Sequence, residues 1–562
     1  MGLFGTIQQS AGALNVAQIG LQVVGNNIAN ANTEGYIRER LEQTPAAAFR
    51  LGGLILGQGV RPTGVTQVID QALAERMFNA KTDVEGAQAL QSAYNQLEEL
   101  TADLDGSGLN EQFSLFNNAL HDLSTQPNDS AMREFVLIQG ESLATSLQSA
   151  RNSAGDMQDS WNGELSDMAT QINSLTEQIA QLNVDIATIE GGRALGSDAT
   201  GLRDQRYLAL EELASYVSIN WQEQETGNVS VFVGGDYLVN NSNQREVYAA
   251  YDESAGGIEV RIQETDAALP VKGGKLGAAM EARSGVFGDY IDGLDQMATQ
   301  LIRRINEVHS QGQGRDGFES VEGSYGSEPG VPISSAGFPF EPGNGSFDIN
   351  LVDTDGELIS SNRITVRNLN ELGDSTVNSI AEEINQIEGI SASVSGDGKL
   401  RIESDSPTAK FTFGEDTSGF LTSAGINTFF VGTSAKDIAV NSVIKEDIDL
   451  LAISSGGIGQ DTDTLYNMLD LIDEPDDKLD GRSVTGLYEN MLSTLGREAN
   501  LQASASEGLG SFYETLRSQH LAITGVNIDE ESIKLIAYQR AFQASSRVIS
   551  TATEMLDILM AL

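Results

Sequence analysis

Apolar residues recur with a helical period at both ends of the chain. Near the start they are spaced by three, four or seven residues, and near the end by three or four. Such spacing puts them on one side of a helix of coiled-coil period, so both ends are predicted to be amphipathic helices. The first stripe is Ile7, Leu14, Ala17, Leu21, Val24 and Ile28, and the second is Leu535, Tyr538, Phe542, Ser545, Ile549, Ala552, Leu556 and Leu559. Asn527, three residues before Glu530, predicts a capping box at the start of the second helix.

A third, nearly ideal apolar stripe runs from Leu165 to Ile189. Glycines at 191 and 192 predict the end of this helix. Further helical patterns cover about 84–104, 132–156, 286–309 and 487–521, several of them longer than the usual 11 or 12 residues. The sequence therefore predicts a body of long helices.

Strand patterns are predicted in two places only. Short alternating runs at 216–262, with Gly and Asn at the turns, predict a small sheet. A second region, about 324–430, opens with an irregular Gly-, Pro- and Ser-rich stretch. Strand patterns follow it, with a helix at about 377–386 and a hairpin turn at Gly396 to Gly398. Because helical periodicity stops before this region and resumes after it, we expect a separate inserted domain.

The predicted fold class is mostly α with α+β parts. It combines terminal coiled-coil helices, an elongated helical-bundle rod domain with a small β region, and an inserted α+β outer domain. The predicted boundaries are 1–60 and 525–562 for the terminal domain, 61–317 and 435–524 for the rod domain with its sheet at about 216–275, and 318–434 for the outer domain.

Charge and composition exclude several classes of partner. The chain has 562 residues, 33 Lys+Arg against 81 Asp+Glu, a formal net charge of -48 and no cysteine. A nucleic acid or an anionic membrane would require excess basic residues, and disulfides or thiolate sites would require cysteine. We expect no membrane insertion and no cleaved signal peptide, because no long apolar window or basic leader is visible. Residues 1–33 carry no charged side chain at all, and their glycines predict a helix that is marginal alone.

The sequence offers no recognisable catalytic group. Its three histidines, His121, His309 and His520, lie outside any HExxH pattern and are interpreted as polar residues at helix surfaces or helix ends. The GxGxxG match at 312–317 follows a predicted helix where a nucleotide site requires a strand, so a turn is expected. The stretch at 353–356 lacks the first ligand of a calcium loop and predicts a hairpin turn. We therefore expect no enzyme activity, no metal and no cofactor.

Both ends of the chain nevertheless carry recognisable motifs. The stretch LNVAQIGLQVVGNNIANANTEGYIRER, residues 14–40, resembles the N-terminal signature of the axial proteins of the bacterial flagellum, which form the rod, the hook and the hook-filament junction. Glu34 stands where that signature commonly has Pro. Residues 525–562 are similar to the C-terminal signature of the same family. Internal segments at 202–221, 274–312 and 425–441 resemble its junction proteins.

The resemblance implies an assembly function. In this family the terminal helices pair into a coiled coil inside a tubular polymer, and they order fully only on assembly. It implies self-association in a helical ring or tube, contacts with the hook protein and a second junction protein, and a chaperone on the C-terminal segment. Export to the extracellular flagellum without a cleaved signal is implied as well. The expected assembly residues are Leu14, Leu21, Val24, Ile28, Leu535, Tyr538, Phe542, Ile549, Leu556 and Leu559. Alternatives are another axial subunit, or a surface-displayed binding module in 318–434.

Overall fold

The computed structural model describes residues 3–51, 54–101, 108–191, 199–224, 226–252, 257–371, 373–473, 475 and 481–561. Helices make up 56% of the described residues and strands 18%, which confirms the mostly α fold class with α+β parts. The chain forms two compact units. The first contains Met1–Ala93, Asp159–Gly285 and Ala499–Leu562, and the second contains Tyr94–Gln158 and Val286–Glu498. The predicted three-domain boundaries remain a prediction.

The helices in the described residues differ widely in length, from five residues to 61. In chain order they are α1 (Leu3–Ala29), α2 (Gln71–Thr101), α3 (Leu109–Thr125), α4 (Ser130–Glu190), α5 (Thr200–Tyr216), α6 (Gly274–Glu281), α7 (Gly288–His309), α8 (Val377–Ile384), α9 (Phe420–Ala424), α10 (Ser442–Glu446), α11 (Asp463–Asp473), α12 (Val484–Thr524) and α13 (Ile528–Ala561). A π-helical segment, Ala282–Phe287, lies between α6 and α7, and 3-10 turns lie at Ile333–Ser335 and Ile448–Leu450.

The strands of the described residues form small antiparallel sheets. They are β1 (Glu39–Pro45), β2 (Phe49–Leu51), β3 (Leu54–Leu56), β4 (Val60–Gln67), β5 (Asn220–Glu223), β6 (Val229–Val233), β7 (Asp236–Asn240), β8 (Asn243–Gln244), β9 (Val247–Asp252), β10 (Gly257–Ile262), β11 (Ala267–Ala268), β12 (Ser320–Glu322), β13 (Gly345–Asp353), β14 (Leu358–Val366), β15 (Ile390–Val394), β16 (Leu400–Ser404), β17 (Ala409–Gly414), β18 (Phe430–Val431) and β19 (Ala439–Val440). The strand orders are β1-β4, β2-β3, β5-β6-β7-β8, β11-β10-β9, β12-β16-β15, β14-β13-β17 and β18-β19.

Helix α4 is one continuous element where the sequence predicts two. Trp161 and Leu165 are both buried, so the apolar side of the helix continues across the predicted interruption at 157–164. The predicted stripe from Leu165 onward is buried at Ile172, Ile179 and Ile186, and the helix ends before Gly191 as expected. The prediction of two separate helices is therefore wrong. Trp161 lies between them and continues the buried apolar side of the helix.

Two asparagines of α4 act as partners for the small sheets of the first unit. The Asn183 amide donates to Val229 O at 2.8 Å and accepts from Val229 N at 3.0 Å. Asn173 makes the same pair of bonds with Val247, at 2.7 and 2.8 Å. Each asparagine side chain thus makes the two hydrogen bonds that a residue of a neighbouring strand would make. It satisfies backbone N–H and C=O groups at the edge of the sheet.

The prediction of strands in only two places is wrong. Strands β1 and β4 pair antiparallel from Glu39 opposite Gln67 to Pro45 opposite Val60, with an irregularity between Glu42 and Gln43. Their residues are mostly half-buried or exposed, so the apolar and polar positions do not alternate. A half-solvated hairpin of this kind gives little periodic signal.

The second unit confirms the predicted turns and the predicted helix of the inserted region. Residues 354–357 connect β13 to β14, and Asp353 Oδ1 accepts the N–H groups of Asp355 and Glu357 at 2.9 Å each. The segment Gly396 to Gly398 connects β15 to β16, and α8 occupies most of the predicted helical stretch. In the same unit Phe116 of α3 lies beside Phe429 and Phe430, with ring centroids 5.6 and 5.9 Å apart.

Candidate assembly site

The two terminal helices, α1 and α13, pack against each other. Gly20 faces the ring of Tyr538, since a Cβ built on this glycine would lie 2.6 Å from ring carbons. Seven residues further along α1, the Asn27 amide donates to Glu531 Oε2 at 3.1 Å. The residue number increases along α1 from Gly20 to Asn27, while that of the contacted residue of α13 decreases from Tyr538 to Glu531. The two helices are therefore antiparallel.

The predicted stripe of α13 coincides with its less exposed side. Between residues 534 and 560, the positions that are not exposed are Leu535, Tyr538, Phe542, Ser545, Ile549, Ala552 and Leu556. The last predicted residue, Leu559, is 60% exposed. The sequence pattern therefore identified the protected side of α13, and the role of these residues in assembly remains a prediction.

The stripe of α1 lies partly inside the same helix pair. Val24 is buried, whereas Leu14, Leu21 and Ile28 are half-buried. The glycine at position 20 is buried and lets the aromatic ring of the other helix approach the backbone. The helices that carry all ten predicted assembly residues are thus brought together.

A second row of apolar side chains on α13 points away from the first. We call Ile533, Ile536, Val548, Met555 and Ile558 the outer row; they are 69%, 48%, 43%, 51% and 63% exposed. At 3.6 residues per turn these five positions fall within an arc of about 120°. The sequence analysis missed this row because Arg540 and Arg547 interrupt it. Exposed apolar residues gathered on one side of a helix favour an interaction surface there.

A buried polar network lies where the two helices meet the following loop and the β1-β4 hairpin. The Asn27 side chain is fully buried. Its Oδ1 accepts from the Tyr36 hydroxyl at 2.8 Å and from Glu39 N at 2.9 Å. Its Nδ2 donates to Glu39 O at 2.9 Å and to Glu531 Oε2 at 3.1 Å. The carboxamide thereby makes two donated and two accepted hydrogen bonds.

Three buried carboxylates lie near the Tyr36 hydroxyl that bonds this amide. Glu39 and Asp204 are each 8% exposed, and Glu531 is 1% exposed. Asp204 Oδ1 accepts from Ile37 N at 3.2 Å and from Gln67 Nε2 at 2.5 Å. Burial raises the pKa of Asp204 to about 6, and the nearby Glu39 adds to the increase. Burial together with the surrounding carboxylates also raises the pKa of the Tyr36 hydroxyl.

The histidines differ from the sequence interpretation in two cases. His121 is exposed on α3 as expected. His309 does end α7 but is fully buried; its Nδ1 donates to Asn427 O at 2.9 Å and its Nε2 accepts from Ala452 N at 3.1 Å. His520 is 5% exposed inside α12 and stacks on Tyr207 at a centroid distance of 5.5 Å. Neither burial is visible in the sequence, because both depend on residues far along the chain.

Further features of the described residues concern metals, membranes and cavities. In the described part of the chain, no three His, Asp or Glu side chains are placed to hold a metal ion. No helix among the described residues is both long and apolar enough to cross a membrane. A cavity of about 320 Å³ beside the loop after α1 is lined by Leu208, Arg517 and Leu521 among others.

Family models match the chain in three places. The model of the helical domain of the flagellar hook-associated protein FlgK matches residues 94–323. A model of flagella basal body rod proteins matches residues 7–36, and a model of the C-terminal region of the flagellar basal body rod FlgEFG proteins matches residues 517–562. The last two matches include most of α1 and all of the described residues of α13.

Known proteins match over most of the chain. Flagellar hook-associated protein 1 of Salmonella typhimurium is 25% identical over 576 residues, which cover 99% of each chain. The protein of the same name from Bacillus subtilis is 30% identical over 356 residues, which cover 55% of this chain and 69% of the relative. The flagellar hook junction protein FlgK from Burkholderia pseudomallei has the same fold, with a TM-score of 0.50 and 15% identity over 80% of this chain and 100% of that one. The terminal helix pair, the matched helical domain and these relatives together place the chain in the flagellar hook-associated protein 1 family.

Proposed function

We propose that this chain is a structural subunit of the bacterial flagellum that forms part of the junction between hook and filament. Its family membership supports this role, since the relatives carry the names hook-associated and hook junction protein. The observation that supports assembly through the chain ends is the terminal helix pair, in which α13 carries apolar residues on two sides. We also propose a non-catalytic role, as expected for a structural family.

The two apolar rows of α13 would serve different contacts. The predicted stripe, including Phe542 and Ile549, faces away from solvent in the single chain and would hold α1 and α13 together. The outer row stays exposed and would contact neighbouring subunits, because burying apolar surface between copies is favourable. We propose that these contacts join successive copies head to tail; a contact of that kind that does not close into a ring generates a helical tube.

The finer assignments rest on the resemblance and on the exposed apolar surface. We propose that the partners are copies of this chain, the hook protein, a second junction protein and an export chaperone. A chaperone on the C-terminal segment would cover the outer row before assembly, since such a surface promotes aggregation when it stays exposed. We further propose export to the extracellular flagellum without a cleaved signal, and the outer position of residues 318–434.

A complementation experiment tests the proposed assembly surface. In cells that lack their own copy of this protein, the variant Val548→Asp should fail to restore attached filaments, because it places a charge in the outer row. The matched variant Gln543→Asp introduces the same charge at an exposed polar position of the same helix and should restore them. Attached filaments with both variants would contradict the role of the outer row.

A further inference from the structure

The Asn27 carboxamide connects parts of the chain that are far apart in sequence. Its hydrogen-bond partners lie in the loop after α1 at Tyr36, in β1 at Glu39 and in the first turn of α13 at Glu531. The bond to Glu531 spans 504 positions of sequence. One side chain therefore joins both ends of the protein to the hairpin that follows α1.

The partners of Asn27 depend on it because they are buried as well. Glu531 is 1% exposed, and its carboxylate is held by Asn27 Nδ2 at 3.1 Å and by Lys534 Nζ at 2.6 Å. Glu39 uses both its backbone N–H and its backbone C=O on the same amide. Removing the amide would leave several buried polar groups without a partner, which costs far more than losing an exposed hydrogen bond.

Charged groups approach the amide from every segment around it. Glu39 lies on β1, Asp204 on α5, and Glu531 with Lys534 on α13, while Arg38 pairs with the exposed Glu530 at 3.5 Å. The Thr200 hydroxyl donates to Glu39 Oε1 at 2.5 Å. The two carboxylates thus have separate partners: the Thr200 hydroxyl for Glu39, and Asn27 with Lys534 for Glu531.

Among the described residues, the opposite ends of the helix pair have packing contacts, such as Gly12 against Val60 of β4, but no hydrogen bond between side chains. Phe4 near the start of α1 is 76% exposed, and Met560 near the end of α13 is 85% exposed. We name residues 20–29 and 528–535 the proximal ends and residues 3–12 and 550–561 the distal ends. Helix ends ordinarily fray first, so a helix terminus that stays ordered requires a specific interaction.

We propose that Asn27 is a positioning residue that anchors the proximal ends of α1 and α13, so that the terminal pair opens from its distal end toward Asn27. The amide holds the C-terminus of one helix and the N-terminus of the other at a single point. The directions of both helices are thereby fixed relative to the hairpin at Glu39. The anchor concerns the folding of this chain alone and does not depend on the flagellar function.

Hydrogen exchange of the full-length chain, read by mass spectrometry, tests this anchor. In the unchanged protein the proximal ends should exchange more slowly than the distal ends. Asn27→Ala should accelerate exchange at least about tenfold in both proximal ends, including the segment of α13 far along the sequence. Asn26→Ala is the matched control: it makes the same change at an exposed neighbouring position with the same gain in helix propensity, and should not accelerate exchange.

A second set of variants separates an anchor from general destabilisation. Glu531→Ala should accelerate the same two ends, and the double variant Asn27→Ala with Glu531→Ala should exchange no faster than Asn27→Ala alone, because both act through one contact. If Asn27→Ala unfolds the whole unit, Tyr36→Phe removes one hydroxyl and should raise exchange only in the proximal ends. Equal exchange at proximal and distal ends of the unchanged protein, equal effects of Asn27→Ala and Asn26→Ala, or additive effects in the double variant would each overturn the proposal.

Discussion

Replacing Gly20 by alanine should weaken the terminal helix pair. A Cβ at this position would lie 2.6 to 2.8 Å from three carbons of the Tyr538 ring. Ordinary contacts between carbon atoms are about 3.5 to 4.0 Å, so the ring or the helix must move by about 1 Å. Overpacking of this kind costs about 1 to 3 kcal/mol.

The matched substitution is Gly25→Ala in the same helix. A Cβ at Gly25 meets nothing within 4 Å. Both substitutions gain about 1 kcal/mol of helix propensity, so that gain cancels when the two variants are compared. Gly20→Ala should therefore leave the helix pair about 1 to 3 kcal/mol less stable than Gly25→Ala does, which corresponds to about 5- to 150-fold in the opening equilibrium.

Limited trypsin digestion measures this difference locally. Arg540 and Arg547 lie within α13, and cleavage after either requires the helix to open. Cleavage should be faster in Gly20→Ala than in Gly25→Ala, and adding Tyr538→Leu should remove most of the difference by making room. Equal cleavage rates in the two glycine variants would refute the close antiparallel packing of α1 on α13.

Three further predictions concern the stripe and two buried titratable groups. Phe542→Asp or Ile549→Asp should abolish incorporation into flagella while circular dichroism of the purified chain still shows the helices outside the terminal pair; normal filament growth with either variant would contradict the stripe's role. Asp204→Asn should raise the free energy of unfolding by up to about 3 kcal/mol at pH 7. Because the pKa of Asp204 is raised to about 6, its contribution to stability is complete below pH 3.8 and is lost as pH rises through 6. In urea titrations, the stability that Asp204→Asn gains over the unchanged protein should therefore shrink as pH falls toward 4. Burial lowers the pKa of His309 to about 4, so histidine resonances in NMR should show one ring that stays neutral until about pH 4. The neutral His309 ring therefore contributes fully to the free energy of unfolding above pH 6.5. This contribution is lost as pH falls through 4, which lowers the free energy of unfolding by about 3 kcal/mol.

Periodic features of the fold could be predicted from the sequence. The stripe from Leu535 to Leu556 matches the protected side of α13 position by position, because helical packing depends on local spacing. The turns after Asp353 and at Gly396 to Gly398 follow from local chemistry as well, since glycine and aspartate at those positions favour tight turns.

Features that depend on distant residues could not be predicted. Asn27 is one of several asparagines in the segment after Val24, and only its contact with Glu531, 504 positions away, distinguishes it. The burial of His520 depends in the same way on Tyr207 of α5. The β1-β4 hairpin was missed for a different reason, because its half-solvated strands have no regular alternation to detect.

Immunogold electron microscopy on whole cells, with an antibody against residues 318–434, tests the central claim most directly. Our account predicts a single short band of label between the hook and the filament. Cells that lack this protein serve as the control and should show no label. Label along the whole hook or the whole filament, or none on the flagellum, would contradict the junction function proposed for this chain.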